Sequence, residues 1–375
     1  MSTPRPSPTL RLLADDLTGA LDTAAEFVGL VGPVPVFWHG AVPEALPPGA
    51  AIDTGTREAG LDAALAAVGA AAPALRGGTI AYRKLDSLLR GNWAAEVAAC
   101  WHAGGWTHGV FAPAFPQQRR VTRGGRHYAA SGEGWAPVGG DLVAALRAAG
   151  LPALPGRPDA PLPPGLSVFD AETEADLERI AAIGRGAGMP VLWCGSGGLA
   201  RALMGEARVA ADTALRGPVL GLFGSDQGAT ARQLAACGAH WHRLPDGGAA
   251  SAARLAAHLG AHGVALASLD LPDGTARDAA ARRIADALDS LAQRLGPPGT
   301  LIVAGGETLK SLCLALGTGA LVATGQVAPG VPRSAMRGGR WDGVEVVSKS
   351  GAFGGDALWR DLLAENGLIS GKIEA

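Results

Sequence analysis

Short apolar runs alternate along this chain with longer alanine- and leucine-rich segments of helical period, and that alternation constrains the fold more than any single motif. Residues 10–14, 34–38, 50–53, 79–85, 109–113, 167–170, 191–194, 219–224, 263–269, 300–305 and 344–348 read as strands. Most are followed by Gly, Ser, Thr or Asp and then a helix pattern, as in βα units wound around a mostly parallel sheet. Their continuous apolarity suits strands buried on both faces. The expected fold is α/β with two domains, each a mostly parallel sheet flanked by helices. Two loop-like stretches break the pattern: 152–166, which is rich in proline, and 204–218, which lacks an apolar period. The second marks the expected boundary, giving domains 1–215 and 216–375, and the first reads as an excursion within the N-terminal domain. No repeat suggests a solenoid.

Composition removes several function classes. Lys+Arg is 32 against Asp+Glu 34, with no long run of like charge, so a nucleic-acid-binding surface is not expected, whereas a pocket for one anion is. Cys100, Cys194, Cys237 and Cys313 are far apart and form no C-x-x-C pair. That spacing fits reduced thiols in a cytoplasmic protein rather than a disulfide framework or a zinc site. The polar, proline-rich start has no signal-like apolar core, and the longest apolar stretch, 63–75, falls well short of the roughly 20 residues of a membrane span. Neither a membrane nor nucleic acid is an expected partner. A small molecule is, and a homo-oligomer is left open.

In open parallel α/β sheets, ligands bind where strand carboxyl ends meet helix N-termini, so polar residues there are the first candidates. The first strand ends in Asp15-Asp16-Leu17-Thr18-Gly19-Ala20. Adjacent carboxylates repel unless cations, a metal or a substrate hydroxyl offset them; the plainer reading is a helix cap with a solvated neighbour. Another strand ends in Lys84-Leu85-Asp86-Ser87, followed by Arg90, Gly91 and Asn92, and a third in Asp53-Thr54-Gly55-Thr56-Arg57. Alternation puts Lys84 and Asp86 on one side of their strand. A carboxylate between cations, beside a hydroxyl, suits a polyhydroxy acid: cations for the acid group and an aspartate for a hydroxyl proton. The alternative is a structural salt bridge.

The C-terminal half differs. Its strand ends carry Gly224-Ser225, Gly305-Gly306-Glu307-Thr308 and Ser350-Gly351, small residues that let backbone N–H groups approach a phosphate at a helix N-terminus. Such turns are also common without a ligand. No Walker-type P-loop and no G-x-S-x-G elbow occurs. Gly195-Ser196-Gly197-Gly198-Leu199-Ala200 matches the dinucleotide pattern but lacks the acidic strand end about 20 residues on. The glycine-rich turns, 195–198 included, are assigned mostly to the nucleotide side. His240 and His242, and His258 and His262, each pair on one face of a strand and a helix; without the zincin Glu they read as surface or packing histidines.

The 14–20, 84–91, 112–116, 195–200, 305–308 and 349–354 stretches occur in the order of the four-carbon acid sugar kinase family, which the chain resembles over almost its whole length. That resemblance implies phosphorylation of threonate, erythronate or oxo-tetronate acids with ATP, by an N-terminal substrate domain and a C-terminal nucleotide domain. The acid sugar would contact Asp15, Asp16, Arg57, Lys84, Leu85, Asp86, Ser87 and Arg90. The nucleotide would lie against Ser225, Gly305, Gly306, Glu307, Thr308 and Gly351. Leu88 stands where the family usually has threonine, Leu21 where it has asparagine, and Arg119 where a glycine is common, which leaves the identity of the acid open. The expectation is phosphoryl transfer from ATP with Mg2+ in an interdomain cleft. Asp16 or Asp86 would act on the attacking hydroxyl, and Glu307 or Asp356 is the candidate magnesium ligand. An NAD-dependent hydroxy-acid dehydrogenase and a non-catalytic sugar-acid sensor are the rivals.

Overall fold

The computed structural model describes residues 8–38, 42–272 and 274–370. Contacts divide the chain into two compact units, Met1–Val209 and Ala210–Ala375. The division falls inside the irregular stretch expected to separate domains. Among the described residues no helix is long and apolar enough to cross a membrane.

The first unit carries β1 (Leu10–Ala14), β2 (Val34–Trp38), β3 (Gly49–Asp53), β4 (Ile80–Lys84), β5 (His108–Ala112), β6 (Arg120–Arg123), β7 (Arg126–Ser131), β8 (Gly134–Asp141), β9 (Ala153–Pro155), β10 (Gly165–Val168) and β11 (Val191–Gly195). Eight of these pair in the order β2-β3-β1-β4-β11-β5-β10-β9, every pairing parallel. The burial of Leu10, Leu12, Leu13 and Ala14 on β1 explains its uninterrupted apolar run: both faces are covered. Because β1 lies between β3 and β4, their carboxyl ends open side by side.

β6, β7 and β8 form a separate antiparallel sheet that the apolar pattern does not reveal. Most of β8 is exposed or half-buried, so it presents no core-facing run to read.

The second unit contains β12 (Val219–Phe223), β13 (Trp241–Leu244), β14 (Val264–Leu269), β15 (Thr300–Ala304), β16 (Ala320–Ala328), β17 (Val331–Arg337) and β18 (Glu345–Lys349). Their order is β13-β14-β12-β15-β18-β17-β16. The first five are parallel and the last two continue antiparallel as a hairpin. Pro329 and Gly330 form its turn, with Gly330 at φ +78°. The core of this unit gathers Val219, Phe223, Val264, Ile302, Val347 and Trp359.

Candidate active site

The loop after β3 folds over the end of β1. Thr54 N donates to the Ala14 carbonyl at 2.9 Å, and Thr56 N and Arg57 N both donate to that of Asp15, at 2.9 and 3.2 Å. This brings Arg57 onto the paired aspartates. Its Nε and Nη2 fork onto the two oxygens of Asp15 at 2.9 and 2.8 Å, and Nη2 also lies 2.7 Å from Asp16 Oδ1 and 3.7 Å from Asp86 Oδ1. Asp16 meanwhile caps helix Leu17–Glu26, accepting from Gly19 N at 2.9 Å and from the Thr18 hydroxyl at 2.6 Å. The cap and the charged cluster are the same residue. A Cβ on Gly19 would fall 2.5 Å from Asp16 Oδ1 and 2.8 Å from Lys84 Nζ. Only glycine lets the lysine come this close.

Alternation along β4 sorts its charges. Lys84 and Asp86 are buried at the cluster, while Arg83 turns to the opposite face and pairs with Glu96. Asp86 receives a second fork, from Arg90 Nε at 2.7 Å and Nη2 at 3.0 Å, and backbone N–H bonds from Leu88 and Arg90 at 3.3 and 3.2 Å. Ser87 is buried beside it. Leu85 differs: its side chain joins the hydrophobic core and its N–H donates to the Gly195 carbonyl at 2.8 Å, so only its backbone borders the cluster.

These contacts set the protonation states. Burial would raise Asp16, but Arg57 and Lys84, with the Thr18 and Gly19 hydrogen bonds, outweigh it and hold the carboxyl below its ordinary range. Burial likewise opposes ionisation of Asp86, and the Arg90 hydrogen bonds with the charge of Arg57 reverse it, also to below the ordinary range. For Arg57, the loss of solvent is overcome by Asp16 and Asp15, which keep the guanidinium protonated. Asp16, Asp86 and Arg57 are therefore charged at neutral pH.

In the second unit, β12, β15 and β18 are adjacent, so Ser225, the 305–308 turn and Gly351 neighbour one another. A Cβ on Gly351 would fall 2.1 Å from Ser225 Oγ, which packs against it. Helices Gly228–Ala235 and Gly306–Ala315 both begin without a side-chain cap, leaving first-turn N–H groups for a ligand. Beneath them, Lys349 is fully buried and donates to the carbonyls of Ser350 and Gly351 at 3.1 and 3.0 Å. Gln233 Nε2 holds those of Phe353, Gly354 and Gly355 at 3.0, 3.2 and 3.0 Å. Gly305, Gly306 and Thr308 are half-buried and Glu307 is exposed.

Residues 10–157 match the sugar-binding N-terminal domain family, and residues 220–358 match the nucleotide-binding C-terminal domain family. A D-threonate kinase from Cupriavidus necator is 37% identical over 335 residues, 74% of this chain and 78% of that protein. One from Bordetella bronchiseptica is 32% identical over 387 residues, 92% and 95% of the two chains. The chain belongs to the four-carbon acid sugar kinase family. A solved structure from Salmonella typhimurium LT2, which carries the name of a tRNA synthase, shares the fold at TM-score 0.74 and 22% identity, covering 95% of this chain and 98% of that one.

Within this acid sugar kinase, several residues at the cluster escape a reading of strand ends. His127, on the unexpected β7, is fully buried, with Nε2 2.9 Å from the Ser87 carbonyl and Nδ1 3.1 Å from Thr122 Oγ1. Arg120 on β6 donates to the Gln118 carbonyl and lies near enough to Asp86 to feel its charge. Asp22 follows Thr18 by one helical turn, beside Lys84; burial raises it to about 6. Glu26, a turn further on, is raised to about 7 by burial and by Asp22. A stripe at 18, 22 and 26 in a helix whose other residues, Thr23 apart, are apolar or glycine was the available signal.

The family departures also find places. Leu21 is buried, and Leu88 reaches Asp86 through its backbone N–H whatever its side chain. Arg119 sits at φ +58°, a conformation that explains why glycine is common there. The 195–198 turn, grouped with turns assigned mostly to the nucleotide side, belongs to the first unit. It is filled internally: Ser196 Oγ donates to the Ala114 carbonyl at 2.7 Å, and the Tyr82 hydroxyl to that of Ser196 at 2.6 Å. A dehydrogenase loses its main support with it.

Proposed function

We propose that the protein transfers the terminal phosphoryl group of ATP to a hydroxyl of a four-carbon sugar acid, with D-threonate as the first candidate. The observation that carries this reading is the buried cluster at the ends of β3, β1 and β4, in which Arg57 bridges Asp15, Asp16 and Asp86 beside Lys84. Such a set recognises a carboxylate and hydroxyls together. Lys84, Arg57 and Arg90 supply positive charge to the acid group, while Asp16 and Asp86 accept from the sugar hydroxyls and orient the attacking one. Their low proton affinity suits this role, because phosphoryl transfer proceeds through a loose transition state that depends on positioning and electrostatics more than on a strong base.

The Ser225, 305–308 and Gly351 turns fit the phosphates of ATP through uncapped backbone donors. Bound ATP would supply the phosphoryl group, and a magnesium ion bound with it would supply charge neutralisation. Magnesium with nucleotide needs only one or two protein carboxylates. Asp356 is already engaged by Arg232 at 2.9 Å, so Glu307, exposed in the first turn of its helix, is the favoured ligand.

An ATP-consumption assay with D- and L-threonate, D-erythronate and their oxo forms tests the proposal. Turnover with one of these acids is expected. Binding of an acid without any ATP consumption would instead favour a sensor, and stabilisation by NAD but not ATP a dehydrogenase.

A further inference from the structure

Four histidines meet at the outer edge of the second unit. His240 ends the turn before β13, His242 lies on β13, the edge strand of its sheet, and His258 and His262 stand one turn apart in helix Ala249–His262. That helix packs on β14, the neighbour of β13, and so brings the two pairs together. Ring centres are 5.4 Å apart for His240 and His258, 5.6 Å for His240 and His262, and 4.3 Å both for His242 and His258 and for His258 and His262. His258 Nε2 lies 3.3 Å from His240 Nδ1. Nε2 of His242 is buried without a hydrogen-bond partner.

Metal–nitrogen bonds of roughly 2.0–2.1 Å at a tetrahedral ion put ligand nitrogens about 3.3 Å apart and ring centres about 5 Å apart. The observed spacings bracket these values. We propose that His240, His242, His258 and His262 form a site for an imidazole-preferring divalent cation such as Zn2+ or Ni2+, separate from the magnesium and nucleotide chemistry. Such ions favour imidazole, whereas Mg2+ favours oxygen. Binding needs neutral rings. Burial lowers His240, His242 and His258, reinforced by neighbouring rings and, at His242, by Arg254, so their lone pairs are available at neutral pH. Among the described residues no three donors already surround one point. Closing the site therefore turns rings that are half-buried or, at His262, exposed, which an edge position allows.

The test is calorimetric titration of the full-length, chelator-stripped protein with ZnCl2 and NiCl2 in excess MgCl2. One ion per chain is expected, with His242→Ala and His258→Ala each weakening it by at least the roughly tenfold that even outer-layer changes cost at metal sites. Turnover with Mg-ATP and metal-free melting stay at wild-type values in both variants, which separates a lost ligand from a damaged fold. Absence of binding to the wild type overturns the proposal. So does full affinity in His240→Ala and His242→Ala alongside its loss in His258→Ala, because the helix pair alone would then be the chelator.

Discussion

The two units place their candidate ligand turns at the same topological position, the carboxyl ends of adjacent parallel strands, and equip them in opposite ways. In the first, charged side chains converge and neutralise one another: Arg57 on Asp15 and Asp16, Arg90 on Asp86. In the second, the turns at 224–225, 305–308 and 350–351 are made mostly of small residues, with Glu307 their one carboxylate, and buried Lys349 and Gln233 hold turn carbonyls, which leaves backbone N–H groups as the available donors. Under the proposed function, the difference teaches what each unit must discriminate. A sugar acid is recognised by where its carboxylate and hydroxyls lie, which calls for side chains fixed by their own ion pairs. A phosphate chain needs charge stabilisation along its length, which backbone donors provide with little demand on residue type.

Removing the central cation tests the contrast most severely. Arg57→Ala leaves Asp15, Asp16 and Asp86 mutually repelling in a buried site; breaking a buried pair costs about 3–5 kcal/mol. Urea unfolding should show a loss of that order and turnover should vanish, with Arg57→Lys failing to restore the fork. Asp86→Asn comes next: turnover should fall by about 10²–10⁴-fold, while the ATP dissociation constant measured by calorimetry stays unchanged. A wild-type rate would remove Asp86 from the chemistry. Gly351→Ala probes the other unit, since its Cβ would overlap Ser225 Oγ. The KM for ATP should rise by about tenfold, equivalent to 1.4 kcal/mol, with the KM for the acid unaltered; equal changes in both would erase the division of labour.

The smallest effect is a slope. Glu26 is raised to about 7, so between its unfolded value near 4.3 and 7 the folded state holds more protons, and stability falls as pH rises through that window. Glu26→Gln should flatten the decline when urea midpoints at pH 5 and pH 8 are compared. An unchanged slope would mean that Arg201, 3.7 Å away, already compensates the charge.

The sequence was most legible where burial is two-sided. The runs of β1, β3 and β4 end in polar residues, and those residues are the ones that meet. Leu85 shows the limit of reading by segment, because it shares the stretch but faces the core. The β6–β8 sheet was illegible because exposed strands bury too few side chains to leave a period, and His127, which holds the Ser87 carbonyl, was hidden with it. The β16–β17 hairpin did carry a signal, Pro329-Gly330, but its strands mix Ala, Gly, Gln, Pro and Arg with few long apolar residues. The histidine pairs were visible separately, and only the packing of their helix on β14 unites them.

The order of the sheet also bears on how the chain folds. Contacts that place β3 and β4 against β1 span 40 and 70 residues of sequence. Until both have docked, Asp15 and Asp16 stand together without Arg57 or Lys84. The charged cluster thus opposes the early docking of its own central strand, and raised ionic strength, to the extent that it screens that repulsion more in partly docked species than in the unfolded chain, should speed the refolding of the first unit.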